Sequence, residues 1–361
     1  INNLQFFEDV KIDTRRGKES DLIDIITTVT ERPTGSINVG AGFSSNENLI
    51  FNAGISQNNF LGRGQRVVFS TNLSSRRTDF NLSLTDPRIF DTEILGGIDA
   101  FNRKTDFYSY QSHNTGGGLR FGKSLSEFDW IGINYRYEDV EITDVSSTTG
   151  SAYLKNGSRV TSRISPTFIN DTRDDFLNPS SGSRHVVRFG LAGLGGAKFH
   201  KMNYEGSYYR PLVGKLVGMV HGAISWADGY GDENLPIFER YYMGGPRSLR
   251  GYTIKNIGPK DDTGNPLGGN QSLLLNLELQ YPFTKGLRGF AFYDRGNLYG
   301  GGNDVSTTST TWDLGKMRDS IGAGVRFMSP MGPLGFAYGI KLDQATGEQS
   351  GEFHFSAGNS F

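Results

Sequence analysis

Apolar and polar residues alternate along this chain with a period of two, in segment after segment. Phe80, Leu82 and Leu84 are interleaved with Asp79, Asn81, Ser83 and Thr85, and Ile131, Ile133, Tyr135 and Tyr137 with Gly132, Asn134, Arg136 and Glu138. Leu273, Leu275, Leu277, Leu279 and Tyr281 alternate with Ser272, Leu274, Asn276, Glu278 and Gln280. Leu334, Phe336, Tyr338 and Ile340 alternate with Gly335, Ala337, Gly339 and Lys341. Successive side chains of a β-strand point to opposite faces, so each segment has one apolar and one polar face. A soluble sandwich would share that pattern, and two features argue against it. Many segments run for roughly 9–11 residues, the span of a tilted strand crossing a bilayer. Connections also alternate between tight turns (210–215, 282–286, 328–332) and long ones (227–270, 295–318).

Short turns on one side and long loops on the other are the habit of outer-membrane barrels. The pattern predicts strands at 35–43, 49–57, 65–74, 79–86, 94–103, 114–123, 129–139, 160–169, 184–194, 199–209, 216–226, 271–281, 287–294, 319–327, 333–341 and 351–361. The fold class is therefore all-β: a 16-stranded antiparallel transmembrane β-barrel occupying 35–361. An unpaired backbone N–H or C=O in hydrocarbon costs several kcal/mol, so the sheet must close, and 35–43 must meet 351–361. Both closing segments contain glycine (Gly40 and Gly42; Gly351 and Gly358), which weakens a strand. A weak seam would serve as a gate. Glycine that simply fits a crowded wall is the plainer reading, and the residues alone favour it.

Composition agrees with a barrel. Gly numbers 49, Phe 25 and Tyr 16, with no Cys, in a chain of 361 residues. Abundant glycine and aromatics suit an apolar outside and a polar lumen. The absence of Cys excludes a disulfide framework and a thiolate metal site, and fits an oxidising periplasm. With 37 Lys+Arg against 38 Asp+Glu there is no surplus of positive charge for nucleic acid as a partner. No apolar run approaches the length of a membrane helix. No signal peptide is visible, and an opening at Ile1 is expected of a trimmed fragment.

Residues 1–34 stand outside the alternation. Phe6 to Asp13 is read as a strand, Arg16 to Ser20 as a turn and Asp21 to Glu31 as a second strand, a hairpin too small to be stable alone. It is expected to be the tail of a soluble domain. At the other extreme, the 44-residue stretch 227–270 is far longer than a hairpin needs. Its segment from Pro236 to Tyr252 is rich in aromatics and Arg, which a loop folded back into the lumen would use.

Within that loop, Leu249-Arg250-Gly251-Tyr252 resembles the [Val/Leu]-Arg-Gly-[Phe/Tyr] signature of the outer-membrane insertase and transporter superfamily, whose members join periplasmic POTRA domains to a barrel. The resemblance covers the whole chain. Gly35-Ser36-Ile37-Asn38-Val39-Gly40 resembles the first barrel strand, Asn58-Asn59-Phe60-Leu61-Gly62 the first turn, and Asp171-Thr172-Arg173 with Gly182-Ser183-Arg184 the middle. The segment from Met328 to Leu334 resembles the last periplasmic turn, and Phe6-Phe7-Glu8 through Arg32 the end of the barrel-proximal POTRA domain. Phe353, Phe355 and Ala357, followed by Gly358 and Phe361, resemble the C-terminal assembly signal of outer-membrane barrels in general.

The resemblance implies that Arg250 projects into the lumen and pairs with Glu278 and Asp294. Parity supports Glu278, which opposes the outward Leu273–Leu279 set; Phe290 and Phe292 share the parity of Asp294, so its side stays open. It further implies a lateral seam between a first strand holding Gly35, Ile37, Asn38, Val39 and Gly40 and a last strand holding Phe353, Phe355, Gly358 and Phe361, with Asn38 and Ser356 close enough to crosslink. The implied function is insertion and folding of β-barrel proteins in the bacterial outer membrane. Unfolded outer-membrane proteins are the implied substrates. Accessory lipoproteins, bound through further POTRA domains, and the lipid bilayer are the implied partners. A related secretion or translocation barrel is the first rival and a passive porin the second.

Nothing in the sequence points to an enzyme or a cofactor. His113, His185, His200, His221 and His354 are scattered, with no acidic or His neighbour at metal spacing and no H-E-x-x-H motif. Gly116–Gly118 and Gly300–Gly302 lie beside strands with no helix to follow, so they are read as structural turns rather than phosphate cradles.

Overall fold

A computed structural model describes residues 6–17, 19, 23–44, 47–107, 109–145, 156–261, 264–300, 312–329, 332–344 and 347–357. Two strands, β1 (Phe7–Arg16) and β2 (Ile23–Glu31), form a separate antiparallel hairpin. The other sixteen close into one barrel. In chain order they are β3 (Gly35–Ser44), β4 (Asn48–Phe60), β5 (Gln65–Ser74), β6 (Arg77–Asp86), β7 (Leu95–Asp106), β8 (Gln111–Ser124), β9 (Asp129–Thr143) and β10 (Gly157–Asp171). They continue as β11 (Gly182–Ala192), β12 (Phe199–Pro211), β13 (Val217–Gly229), β14 (Gln271–Pro282), β15 (Leu287–Tyr299), β16 (Arg318–Ser329), β17 (Gly332–Lys341) and β18 (Gly351–Ala357).

Each strand anticipated from the alternation is present. Most run further than the pattern did: β9 extends to Thr143 and β15 to Tyr299. The extensions lie where strands rise past the lipid-facing band, so outward apolar residues no longer mark them. The long loop is correspondingly 230–270. Outward positions carry the apolar surface, with Ile133, Val220, Leu277, Leu279 and Tyr338 all exposed. Transferring such faces to lipid is favourable by roughly 25 cal/mol per Å². Among the described residues no helix is long and apolar enough to cross a membrane.

The parity of Phe290 and Phe292 has a physical reason. Both rings are buried inside the barrel, where they lie against Gly324 and Gly322 of β16. The lumen here is packed rather than wet, so inward positions take aromatics, and Asp294 does face inward with them.

The lumenal latch and the lateral seam

Loop 230–270 folds into the barrel and is gripped at several points. Ile237 and Leu267 pack with Val140 and Ile142 of β9; Leu235 packs with Phe199 and Ala227; Met243, Leu249, Tyr252 and Ile257 pack with Leu274 and Leu298. Besides the pair of Glu233 with Arg159 of β10 near the loop's start, two buried ionic anchors of opposite sense add direction. At the first, the loop supplies a carboxylate: Glu239 accepts from Arg163 Nη1 at 3.0 and 2.9 Å and from Lys201 Nζ at 2.9 Å. At the second, it supplies the cation, Arg250.

Arg250 is buried and reaches both carboxylates that the sequence nominated. Its Nε donates to Asp294 Oδ2 at 2.7 Å, its Nη2 to Asp294 Oδ1 at 2.6 Å and its backbone N–H to Oδ2 at 3.0 Å. Its Nη1 donates to Glu278 Oε1. Asp294, fully enclosed, receives a fourth bond from Asn276 Nδ2 at 2.8 Å, and the same amide holds the Ser248 carbonyl. Arg326 of β16 supplies the second cation, donating to both Glu278 oxygens at 3.1 and 2.9 Å. Two carboxylates thus face two guanidiniums, and the quartet is neutral. The Arg250 guanidinium also lies 3.7 Å from the Phe292 ring centre. A planar, permanently charged fork suits this doubly paired site in a way Lys would not.

The rest of the signature grips the last strands. Gly251 has φ +84°, a left-handed conformation that disfavours a side chain, and it sits against the backbone of Gly339 in β17. Its N–H donates to His354 Nε2 in β18 at 3.0 Å, and Thr253 Oγ1 donates to Glu352 Oε2 beside it at 2.8 Å. The Tyr252 hydroxyl donates to the Asp319 carbonyl at 3.0 Å and meets Asp343. Leu249 is fully buried in the apolar cluster that the loop forms with Leu274 and Leu298 of the wall.

The seam is where the sheet is thinnest. Among the described residues β18 and β3 are joined through a single residue pair, Ser356 with Ser44, whereas every other pair of neighbours shares at least seven. The Phe43 and Phe355 rings stack beside it, 5.9 Å apart. The register places the loop-side end of β3 against the far end of β18. Gly35, Ile37, Asn38, Val39 and Gly40 therefore have no partner in β18 among the described residues. The pairing of Asn38 with Ser356 expected from the sequence is corrected to Ser44 with Ser356. Strand alternation gives the face a residue occupies but not how far one strand is staggered against another. Phe353 points outward as expected, while Gly358 and Phe361 lie outside the described residues.

Three participants escaped the sequence reading: Glu239, Arg326 and His354. A signal existed for the last two. Arg326 lies between Val325 and Phe327, and His354 between the outward Phe353 and Phe355, so parity alone puts both in the lumen.

The structure is thus a transmembrane barrel whose long loop is ionically fastened inside its own lumen, and whose first and last strands share one residue pair among the described residues. The chain belongs to the Omp85 superfamily, whose domain matches residues 59–361. It is similar to the outer membrane protein assembly factor BamA of Nitratidesulfovibrio vulgaris, 31% identical over 372 residues that take in all of this chain and 46% of that protein. It is also similar to the human sorting and assembly machinery component 50 homolog, 28% identical over 315 residues, 80% of this chain and 65% of that protein. BamA from Haemophilus ducreyi lacking POTRA domains 1–3 has the same fold, with a TM-score of 0.89 over 98% of this chain and 76% of that one at 24% identity. The chain spans about half the length of its bacterial relative.

Proposed function

We propose that this chain is the barrel of a protein that inserts and folds other β-barrels in the bacterial outer membrane, working through the seam between β3 and β18. The observation that carries the reading is the closure itself, where β3 and β18 meet at one residue pair among the described residues. The edge of β3 from Gly35 to Phe43 offers backbone groups that an incoming strand can satisfy by β-augmentation as it leaves water. In hydrocarbon each unmet group costs several kcal/mol, so a substrate strand is a favourable partner there. The names of the bacterial and human relatives, both assembly components, support the same activity. Unfolded outer-membrane proteins are the substrates in this reading, and no cofactor enters it.

The hairpin β1–β2 is read as the end of a barrel-proximal POTRA domain on the periplasmic side. Ile12, Ile23 and Ile25 are each about two-thirds exposed, an apolar surface that the remainder of such a domain would cover. Accessory lipoproteins acting through POTRA domains are the partners this reading implies. A passive porin is disfavoured by the loop packed across the lumen.

A crosslink tests the mechanism. This chain has no Cys, so Ser44→Cys with Ser356→Cys introduces the only thiols in the barrel. In the full-length protein, reconstituted in vesicles with its accessory subunits, disulfide closure should abolish folding of a test barrel, and reductant should restore it. Wild-type folding rates with a verified crosslink would rule out lateral opening.

A further inference from the structure

The periplasmic rim of β12–β15 carries charge of one sign on its lipid side. Arg210 and Lys215 stand at the two ends of the β12–β13 turn, and Lys285 lies on the neighbouring β14–β15 turn. All three are exposed, and no side chain among them forms an ion pair or hydrogen bond with any described residue. No Asp or Glu occurs in 210–216 or 283–286. Turns 87–94 and 125–128 of the same rim carry acid, Asp91 and Glu93 in one and Glu127 in the other, while the β4–β5 turn has a lone cation, Arg63.

The same two turns are apolar at their tips. Leu212, Val213 and Phe283 are exposed, Val213 by 80%. Such residues are at home at the level where headgroups give way to acyl chains. Above them the wall is recessed. Register places Arg210, Gly218, Leu279 and Ala291 in one row across four strands, and Tyr208, Val220, Leu277 and Tyr293 in the next. Two small residues below a row of larger ones leave an outward-facing apolar groove of about 560 Å³, with Arg210 and Leu212 at its periplasmic end.

We propose that this groove and its basic rim form a binding site for an anionic glycerophospholipid of the periplasmic leaflet, an acyl chain lying in the groove and the phosphate held by Arg210 with Lys215 and Lys285. A guanidinium at the lipid boundary gains charge-assisted, two-bonded contact with phosphate oxygens. The apolar tips and the groove behind them select an acylated phosphate over a soluble one. The site is separate from the latch and the seam, and its occupancy is measured without any substrate protein.

Native mass spectrometry of the full-length protein, equilibrated with phosphatidylglycerol or phosphatidylcholine of matched chains, tests this. Wild type should retain phosphatidylglycerol preferentially. Arg210→Gln should reduce that preference about fivefold, and adding Lys215→Gln and Lys285→Gln should remove it, each surface cation contributing a similar factor. Arg63→Gln, on the β4–β5 turn, should leave it unchanged. Equal retention of the two lipids by wild type, or a preference that survives all three substitutions, would overturn the proposal. So would displacement of the lipid by glycerol phosphate at comparable concentration, since the site would then recognise phosphate alone.

Discussion

The backbone N–H of Gly251 donates to Nε2 of His354 across 3.0 Å, and through that bond the lumenal loop holds the strand that closes the barrel. Because Nε2 accepts, the ring proton belongs on Nδ1. Among the described residues β18 pairs extensively with β17 alone, and this contact and the neighbouring Thr253–Glu352 bond restrain it from the lumen. His354→Ala leaves a buried donor unmet at a cost of about 1–3 kcal/mol. Amide exchange across 351–357 should accelerate, while His354→Gln, which can still accept, should largely restore protection. Unchanged exchange in the alanine variant would show that the loop does not restrain the seam.

Among the described residues Arg250 alone bonds both Asp294 and Glu278, but the two losses are unequal. Without it Glu278 still has Arg326 and Gln280, whereas Asp294 keeps Asn276 and a backbone N–H. Breaking a buried pair by removing one partner typically costs about 3–5 kcal/mol. Arg250→Ala should therefore release the loop and expose 230–270 to protease, yet leave a folded, heat-modifiable barrel, since the sheet closes through backbone bonds. Adding Asp294→Asn should restore part of the loss, and a double-mutant cycle measures the coupling. Additive effects would argue against the pairing.

The sequence made all sixteen barrel strands legible because one physical contrast, lipid outside against polar lumen, is repeated on every one. It was silent wherever that contrast breaks down. Phe290 and Phe292 point inward because loop and glycines make a packed interior there, and no period-two rule anticipates it. The Arg250 carboxylates were legible through the signature and the parity of Glu278. The bond from Gly251 to His354 joins residues 103 apart in sequence and depends on loop course and strand stagger, which local pattern does not encode.

Asp174, in the turn between β10 and β11, gives a pH prediction. Burial pushes its carboxyl up, but the Ser180 hydroxyl and the N–H groups of Ser180 and Ser181 outweigh that and hold it down to about 2. A group depressed in the folded state stabilises it fully above the unfolded value, near 3.8. That contribution declines as pH falls toward 2. The turn is tied to β15 by Arg288, which donates to the carbonyls of Pro179 and Asn178. Carboxyl NMR should place the Asp174 midpoint near 2, and Asp174→Asn should loosen the turn at neutral pH. A midpoint in the ordinary carboxylate range would remove the basis for this prediction.

Two glycines, alike in sequence, should respond in opposite ways to a methyl group. A Cβ on Gly339 would lie 2.5 Å from the Gly251 nitrogen, and both sides of that contact are backbone, so neither can rotate away. Overpacking of this kind costs about 1–3 kcal/mol, and here the loop rather than β17, which is paired on both sides, is the part free to yield. Gly339→Ala should therefore lift the signature off β17, with faster exchange of the Gly251 amide and a weaker hold on His354. Gly40, in the closing strand β3, has nothing within 4 Å of the corresponding position and no left-handed φ. Gly40→Ala should be neutral or stabilise the strand by up to about 1 kcal/mol, since alanine restricts the unfolded chain more than glycine does. If Gly40→Ala instead slowed substrate folding at unchanged stability, glycine there would be serving the seam's mobility, and the plainer reading of it as mere room in the wall would fail.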